Sequence, residues 1–195
     1  MTFEEILLGA RAYIKGNEGL VLSIYKDTLG FRTVGYGHLI QPSEVIPEQI
    51  TLAQAEMLFE ADFHKALSAV TASPVWSELL APGRIIALID LTFNMGVGWI
   101  RTFTATNNAM IAGDWNLAGD LLLQSKYASQ VPNRAERNAN LLRTGLSPNQ
   151  PNQPPTPAAT DQSDSPSDVS LAEPSPPQTE FSDFSGFSGF SSFSK

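Results

Sequence analysis

The chain has 195 residues, 42% of them hydrophobic, no cysteine and a formal charge of -8. That size and apolar content suit one compact domain with an appendage, and the lack of cysteine removes disulfides, thiol catalysis and thiolate metal ligation. No basic stripe of the kind nucleic-acid binders carry is present, and no run approaches the roughly 18 apolar residues of a membrane span, so neither partner is expected.

Charge and hydrophobicity are unevenly divided. Up to Leu146 there are 11 basic and 14 acidic residues, whereas beyond it Lys195 stands against six acids. The aliphatic periodicity lies almost wholly in residues 1–146. Glu4 and Glu5 stand where a secretory signal would be basic, and Arg11 interrupts the apolar run, so no such signal is expected.

In chain order, Thr2 with Glu5 forms a capping-box pattern, and Phe3, Ile6, Leu7, Ala10 and Ile14 recur at helical spacing. Gly16-Asn17 is expected to close this helix, with Glu18 at or just after its end. Leu20 to Tyr25 reads as a strand, Asp27 to Gly30 as a turn, and Phe31 to Tyr36 as the returning strand. Gly35 and Gly37 flank Tyr36, where a backbone bends or approaches something closely. Pro42 and Pro47 bracket a loop. Thr51 with Gln54 then starts a longer helix whose apolar face is Leu52, Ala55, Leu58, Phe59, Phe63, Ala66, Leu67 and Val70.

Pro82 to Leu146 is almost wholly helical in pattern, broken at Gly96–Gly98, at Gly113 and around Pro132. The implied class is α+β: a small antiparallel sheet lobe and a helical lobe joined by the Thr51–Thr71 helix, with a cleft between them. Residues 147–180 change abruptly to Pro, Ser, Gln, Asn and Asp, and nine of the 14 prolines lie beyond Leu146. This is a linker composition that cannot bury enough surface to fold. Residues 181–195 repeat Phe every three residues from Phe181 to Phe193, a period of neither helix nor strand, and are expected to be disordered alone.

Chemistry concentrates between Asn17 and His38. Two carboxylates nine apart, Glu18 and Asp27, would not meet on one helix but can face one cleft from a helix end and a hairpin. Glycosidic cleavage needs such a pair, one a protonated acid for the leaving oxygen and the other ionised beside water. The plain structural alternative is a helix cap at Glu18 and a turn start at Asp27. Thr33 is expected in a strand for its β-branch alone, and its hydroxyl could also hold a water against Asp27. With His38 and His64 the only histidines and no HExxH, no metal site is expected; an ion pair of His38 with Asp62 is.

The surrounding residues resemble the T-even phage lysozymes, the endolysin-type muramidases. The likeness runs through Asn17-Glu18-Gly19-Leu20, Ile24-Tyr25-Lys26-Asp27-Thr28, Gly30, Thr33, Gly35 and Gly37-His38-Leu39. It continues through Ile50-Thr51 to Asp62, Phe93-Asn94-Met95-Gly96, Phe103-Thr104, Trp115, Ser125, Pro132-Asn133-Arg134-Ala135, Arg137 and Arg143-Thr144-Gly145, covering about residues 1–146. The resemblance implies a two-lobe lysozyme fold that acts without a cofactor, as a monomer, on bacterial peptidoglycan. The bond cut would be the β-1,4 link between N-acetylmuramic acid and N-acetylglucosamine, with inversion.

In that reading Glu18 is the general acid, Asp27 positions or deprotonates water and Thr33 holds that water. Arg134 contacts Glu18, Asp62 pairs with His38, and Leu39, Phe93 and Thr106 line the saccharide groove. Two departures stand out. Asp90 occupies a position where familiar members have Asn and is expected to compete for Arg134 and raise the Glu18 pKa. Leu121 replaces a polar groove residue. The role implied is host lysis or wall penetration, the enzyme being made in the host cytoplasm and acting at the periplasmic wall. A virion or envelope protein is the partner that the Phe-Ser tail would fit. The alternative from another class is a catalytically idle wall-binding adaptor.

Overall fold

The computed structural model describes residues 1–27, 30–77 and 79–148. The Phe-Ser tail and all but the first two residues of the Pro-rich segment therefore lie outside the described residues, as do Thr28 and Leu29 in the middle of the expected turn. Among the described residues the chain forms a mostly helical α+β fold with one antiparallel sheet of order β1-β2-β3. No helix among them is long and apolar enough to cross a membrane.

Helix α1 (Phe3–Glu18) starts with the full capping box of Thr2 and Glu5 and buries Ile6, Leu7, Ala10 and Ile14. It runs past the expected stop at Gly16-Asn17. The chain leaves the helix only at Gly19, whose φ of 71° suits glycine and whose N–H closes on the Lys15 carbonyl. Glu18 is thereby the last helical residue. Strands β1 (Val21–Lys26), β2 (Arg32–Gly35) and β3 (His38–Leu39) follow. Tyr25 pairs with Thr33 across β1 and β2, and Thr33 with Leu39 across β2 and β3. The free edge of β1 is covered by the returning loop, where Ile24 N–H donates to the Glu48 carbonyl and Ile50 N–H to that of Leu22.

Helix α2 (Leu52–Thr71), capped by Thr51 and Gln54 as the pattern predicts, belongs to both lobes. Its first turn puts Ala55 into a small core with Val34 and Ile50 beneath the sheet. Phe59, Phe63, Ala66 and Val70 enter the larger helical core, and Tyr36 packs against both. Leu52, expected on the buried face, is exposed because it precedes the point where the sheet covers the helix.

The helical lobe is built from α3 (Pro82–Met95), α4 (Trp99–Thr102), α5 (Thr104–Ile111), α6 (Trp115–Leu123), α7 (Lys126–Gln130) and α8 (Pro132–Thr144). The breaks at Gly96–Gly98, Gly113 and Pro132 stand where the sequence put them. Pro132 begins α8 at a position where its missing N–H costs nothing. Trp99 is wholly enclosed, and its indole N–H is satisfied by Thr92 Oγ1 at 2.8 Å. Leu121 lies half-buried against the helical core.

The end of α8 is clamped onto the start of α3. Gly145 takes the left-handed turn, Gly83 N–H donates to its carbonyl at 2.8 Å, and Ser147 is buried beyond it. A Cβ on Gly83 would lie 2.3 Å from the Leu146 carbonyl oxygen and 2.7 Å from the Gly145 carbonyl carbon, backbone atoms that cannot swing aside. Alanine is the better helix former by about 1 kcal/mol. Overpacking against backbone outweighs that gain, so Gly83→Ala is predicted to destabilise the domain by about 2 kcal/mol in urea denaturation.

Candidate active site

Glu18 reaches the junction of the lobes because α1 carries it to its last turn and Gly19 redirects the chain into β1. Its side chain is only 12% exposed. Arg134 Nη1 donates to Glu18 Oε1 at 2.7 Å, and Asn94 stands near enough to favour the carboxylate form. The other oxygen, Oε2, lies against the β2–β3 turn, where a Cβ on Gly37 would stand 3.2 Å away. With φ of 81°, Gly37 serves both the turn and this close approach. Burial pushes the Glu18 pKa above the ordinary glutamate range; Arg134 and Asn94 oppose the shift, and the charge of Asp90 adds to it.

Arg134 is itself buried and shared. Its Nε and Nη2 donate to Asp90 Oδ2 and Oδ1 at 3.0 and 2.7 Å, while only Nη1 serves Glu18. Burial works against its charge, but Asp90 and Glu18 outweigh burial and hold the guanidinium protonated. Asp90 thus takes two of the three bonds and has the larger claim on Arg134, as the sequence suggested. The rise in the Glu18 pKa has burial as its first cause, with Asp90 a smaller one.

Asp27 and Thr33 are held by one residue. Phe31 N–H donates to Asp27 Oδ1 at 2.8 Å, and Thr33 Oγ1 donates to the Phe31 carbonyl at 3.2 Å. Asp27 is half-buried after β1, and Thr33 is buried in β2. Tyr25, opposite Thr33, has its pKa raised by burial first and then by the charges of both Glu18 and Asp27, so the two carboxylates act on one phenol. The helix end and the hairpin therefore bring Glu18 and Asp27 to one region.

His38 is 5% exposed on β3. Its Nδ1 lies 2.6 Å from Asp62 Oδ2 on α2, and its Nε2 3.2 Å from Glu44 Oε2 in the Pro-bracketed loop. The Asp62 hydrogen bond leads in raising the His38 pKa, partly offset by burial. Burial disfavours the Asp62 charge, but His38 and Lys65 overcome it and lower that pKa. Beside this pair runs a groove of about 310 Å³ between the lobes, walled by Gly37, Leu39 and Gln41 on one side and Phe93, Gly96 and Val97 on the other. Leu39 and Phe93 thus line the groove. Thr106 is buried within α5.

Several residues of the site were not singled out in the sequence. Asn17 bridges Asp90 Oδ1 at 3.1 Å and Arg137 Nη2 at 2.5 Å. Asn138 donates to Asp90 Oδ2 at 2.6 Å and accepts from Tyr13. Spacing could have found Asn138, since it follows Arg134 by four residues on one helix face. Glu44 had no such signal, because it reaches His38 across an irregular loop.

A small sheet set against a helical lobe, with an acid of raised proton affinity at their junction, defines the lysozyme-like glycoside hydrolases of the cell wall. The phage lysozyme profile matches residues 15–138, and the chain belongs to that family. It is similar to the pre-baseplate central spike protein Gp5 of Enterobacteria phage T4, 33% identical over 156 residues that cover 68% of this chain but 27% of the spike protein. Probable T4-type lysozymes 1 and 2 of Dictyostelium discoideum are 30% and 28% identical, with 68% of this chain and 92% of each relative covered.

The His38–Asp62 pair fixes a pH window. A raised His38 pKa contributes stability that is full below the ordinary imidazole value and lost as pH rises through the raised one. The lowered Asp62 pKa contributes above the ordinary carboxylate range and is lost as pH falls through it. Asp62→Asn is therefore predicted to cost about 2 kcal/mol between about pH 4 and pH 6.5, and less at higher pH. Denaturant melts across that range check the trend.

Proposed function

We propose that residues 1–146 form an active muramidase that hydrolyses the β-1,4 bond between N-acetylmuramic acid and N-acetylglucosamine with inversion. Glu18 gives its proton to the glycosidic oxygen as the bond to C1 breaks. Thr33 Oγ1 holds a water that Asp27 deprotonates, and the water oxygen bonds C1 from the face opposite the leaving sugar. The cycle ends with Glu18 ionised, its charge met by Arg134, and with the proton on Asp27. Solvent exchange restores both.

The observation that carries this reading is the environment of Glu18, nearly enclosed and raised in pKa while a second carboxylate acts on the same Tyr25. Asp27 and Thr33, both anchored to Phe31, are suited to grip one water. The groove beside Gly37 offers Leu39 and Phe93 as apolar surface for sugar faces. Peptidoglycan is the substrate, and the wall outside the cytoplasmic membrane is the place of action. Glu18→Gln is predicted to lower the rate of clearing of outer-membrane-stripped cells by about 10³-fold with the fold unchanged. A folded Glu18→Gln that clears cells at the native rate would instead fit an idle wall-binding module. Proton NMR of fresh products should find the new reducing end as the α anomer; a β anomer would indicate retention.

The likeness to a protein named as a phage spike component supports a particle-borne, wall-opening role as the second reading beside lysis from within. In that reading residues 147–180 are a spacer and the five phenylalanines of 181–195 anchor a virion or envelope protein. Mass spectrometry of purified particles should then detect this chain, and deletion of 147–195 should remove it from particles without lowering lytic activity.

A further inference from the structure

Two buried acids share one arginine at this site, and its donors are divided unequally between them. Asp90 is fully buried on α3. Its Oδ1 accepts from Arg134 Nη2 and Asn17 Nδ2, and its Oδ2 from Arg134 Nε and Asn138 Nδ2, at 2.6–3.1 Å. Four donors fill the four lone-pair directions of a carboxylate. Every hydrogen-bonding direction of both oxygens is thus met by a donor.

Glu18 differs in each respect. Arg134 gives it a single bond, at Oε1, while Oε2 faces Gly37, which also walls the groove. With Asp90 already bound to the fork of the guanidinium, little of its charge is left to balance a second enclosed anion. We propose that Asp90 is a positioning residue for the hydrolysis: by holding Arg134 through Nε and Nη2 it leaves Glu18 as the proton-bearing member of the Glu18–Arg134–Asp90 triad. The inference rests on Glu18 being the proton donor and explains how it stays one.

The other groups that face the triad keep the same sense. Tyr25 from β1 feels both Glu18 and Asp27. Tyr13 from α1 and Tyr127 from α7 are pushed up first by burial and then by Asp90, so both remain neutral phenols. Arg137 from α8 acts on the cluster through Asn17. None of these supplies a second cation to Glu18 in place of Arg134.

Asp90→Asn keeps the shape and removes the charge. Glu18 should then ionise more readily, because the repelling anion is gone and Arg134 is freed to attract it. The alkaline limb of kcat should move to lower pH by about one unit, a roughly tenfold loss of kcat above both limbs, with KM nearly unchanged. A role in stability alone would lower the melting temperature and leave the limb in place. In parallel, carbon-13 carboxyl NMR on the whole chain, with the Glu18 signal identified by its loss in Glu18→Gln, should place the wild-type midpoint above the ordinary glutamate range.

An unmoved limb in folded Asp90→Asn overturns the proposal. So does a Glu18 midpoint at or below the ordinary range in the wild type, a result that needs no variant of Asp90. An inert Glu18→Gln together with an unmoved limb in Asp90→Asn sinks the role of Asp90 alone, whereas a fully active Glu18→Gln sinks the proton donor as well.

Discussion

The enclosed guanidinium of Arg134 is the interaction on which the site depends. It joins the end of α1 through Glu18 and the middle of α3 through Asp90, from its own place near the start of α8. Enclosing charged groups costs several kcal/mol per ion, and replacing such clusters with apolar side chains often stabilises a protein. In the proposed function the cluster serves chemistry rather than stability. A carboxylic acid ready to give up a proton must be enclosed enough to hold it and yet have a cation at hand for the charge that remains. In the proposed mechanism Arg134 meets the second need, and Asp90 keeps it from defeating the first.

Around that cluster the fold is organised so that a small sheet can lean on a rigid helical body. Helix α2 is the shared member, with Ala55 under the sheet and Phe59 and Phe63 in the large core. Tyr36 ties the two apolar clusters together, stacking edge-on against Phe59 and donating to Glu56, which also pairs with Lys15 of α1. His38 and Asp62 fasten β3 to α2 a few residues further on. These contacts fix the β2–β3 turn, and with it Gly37, against Glu18 Oε2. The position of the acid relative to the hairpin is thus set by packing from both lobes, not by the short segment that holds the acids in sequence.

Much of this was legible because the signals were local. Both capping boxes, the helix breaks in the second half and the hairpin could be read from spacing and turn residues. The errors lie where tertiary contact overrides local preference. Gly16 has the composition of a stop, yet α1 continues through it and ends at Gly19, which takes the positive φ. β3 has two residues, too few to register as a pattern, and exists because Thr33 and Val34 pair with it. Asn17 and Glu44 acquire their roles from residues 73 and 6 positions away.

The charge balance of the domain has a further consequence. Up to Leu146 acids outnumber bases, and many of the bases are already engaged internally: Arg11 with Glu60, Lys15 with Glu56, Arg32 with Glu48, Arg143 with Asp120 and Arg134 within the triad. Pairs of this kind present little net positive field to an approaching anionic polymer, and salt screens what is left within about 10 Å. Long-range attraction to a wall is therefore a weak source of affinity for this domain. In the proposed reading, recognition comes from the groove itself, whose walls include Leu39 and Phe93. An enzyme that binds its substrate by short-range fit gains little from a basic surface and can tolerate an acidic one. That is the composition this chain has.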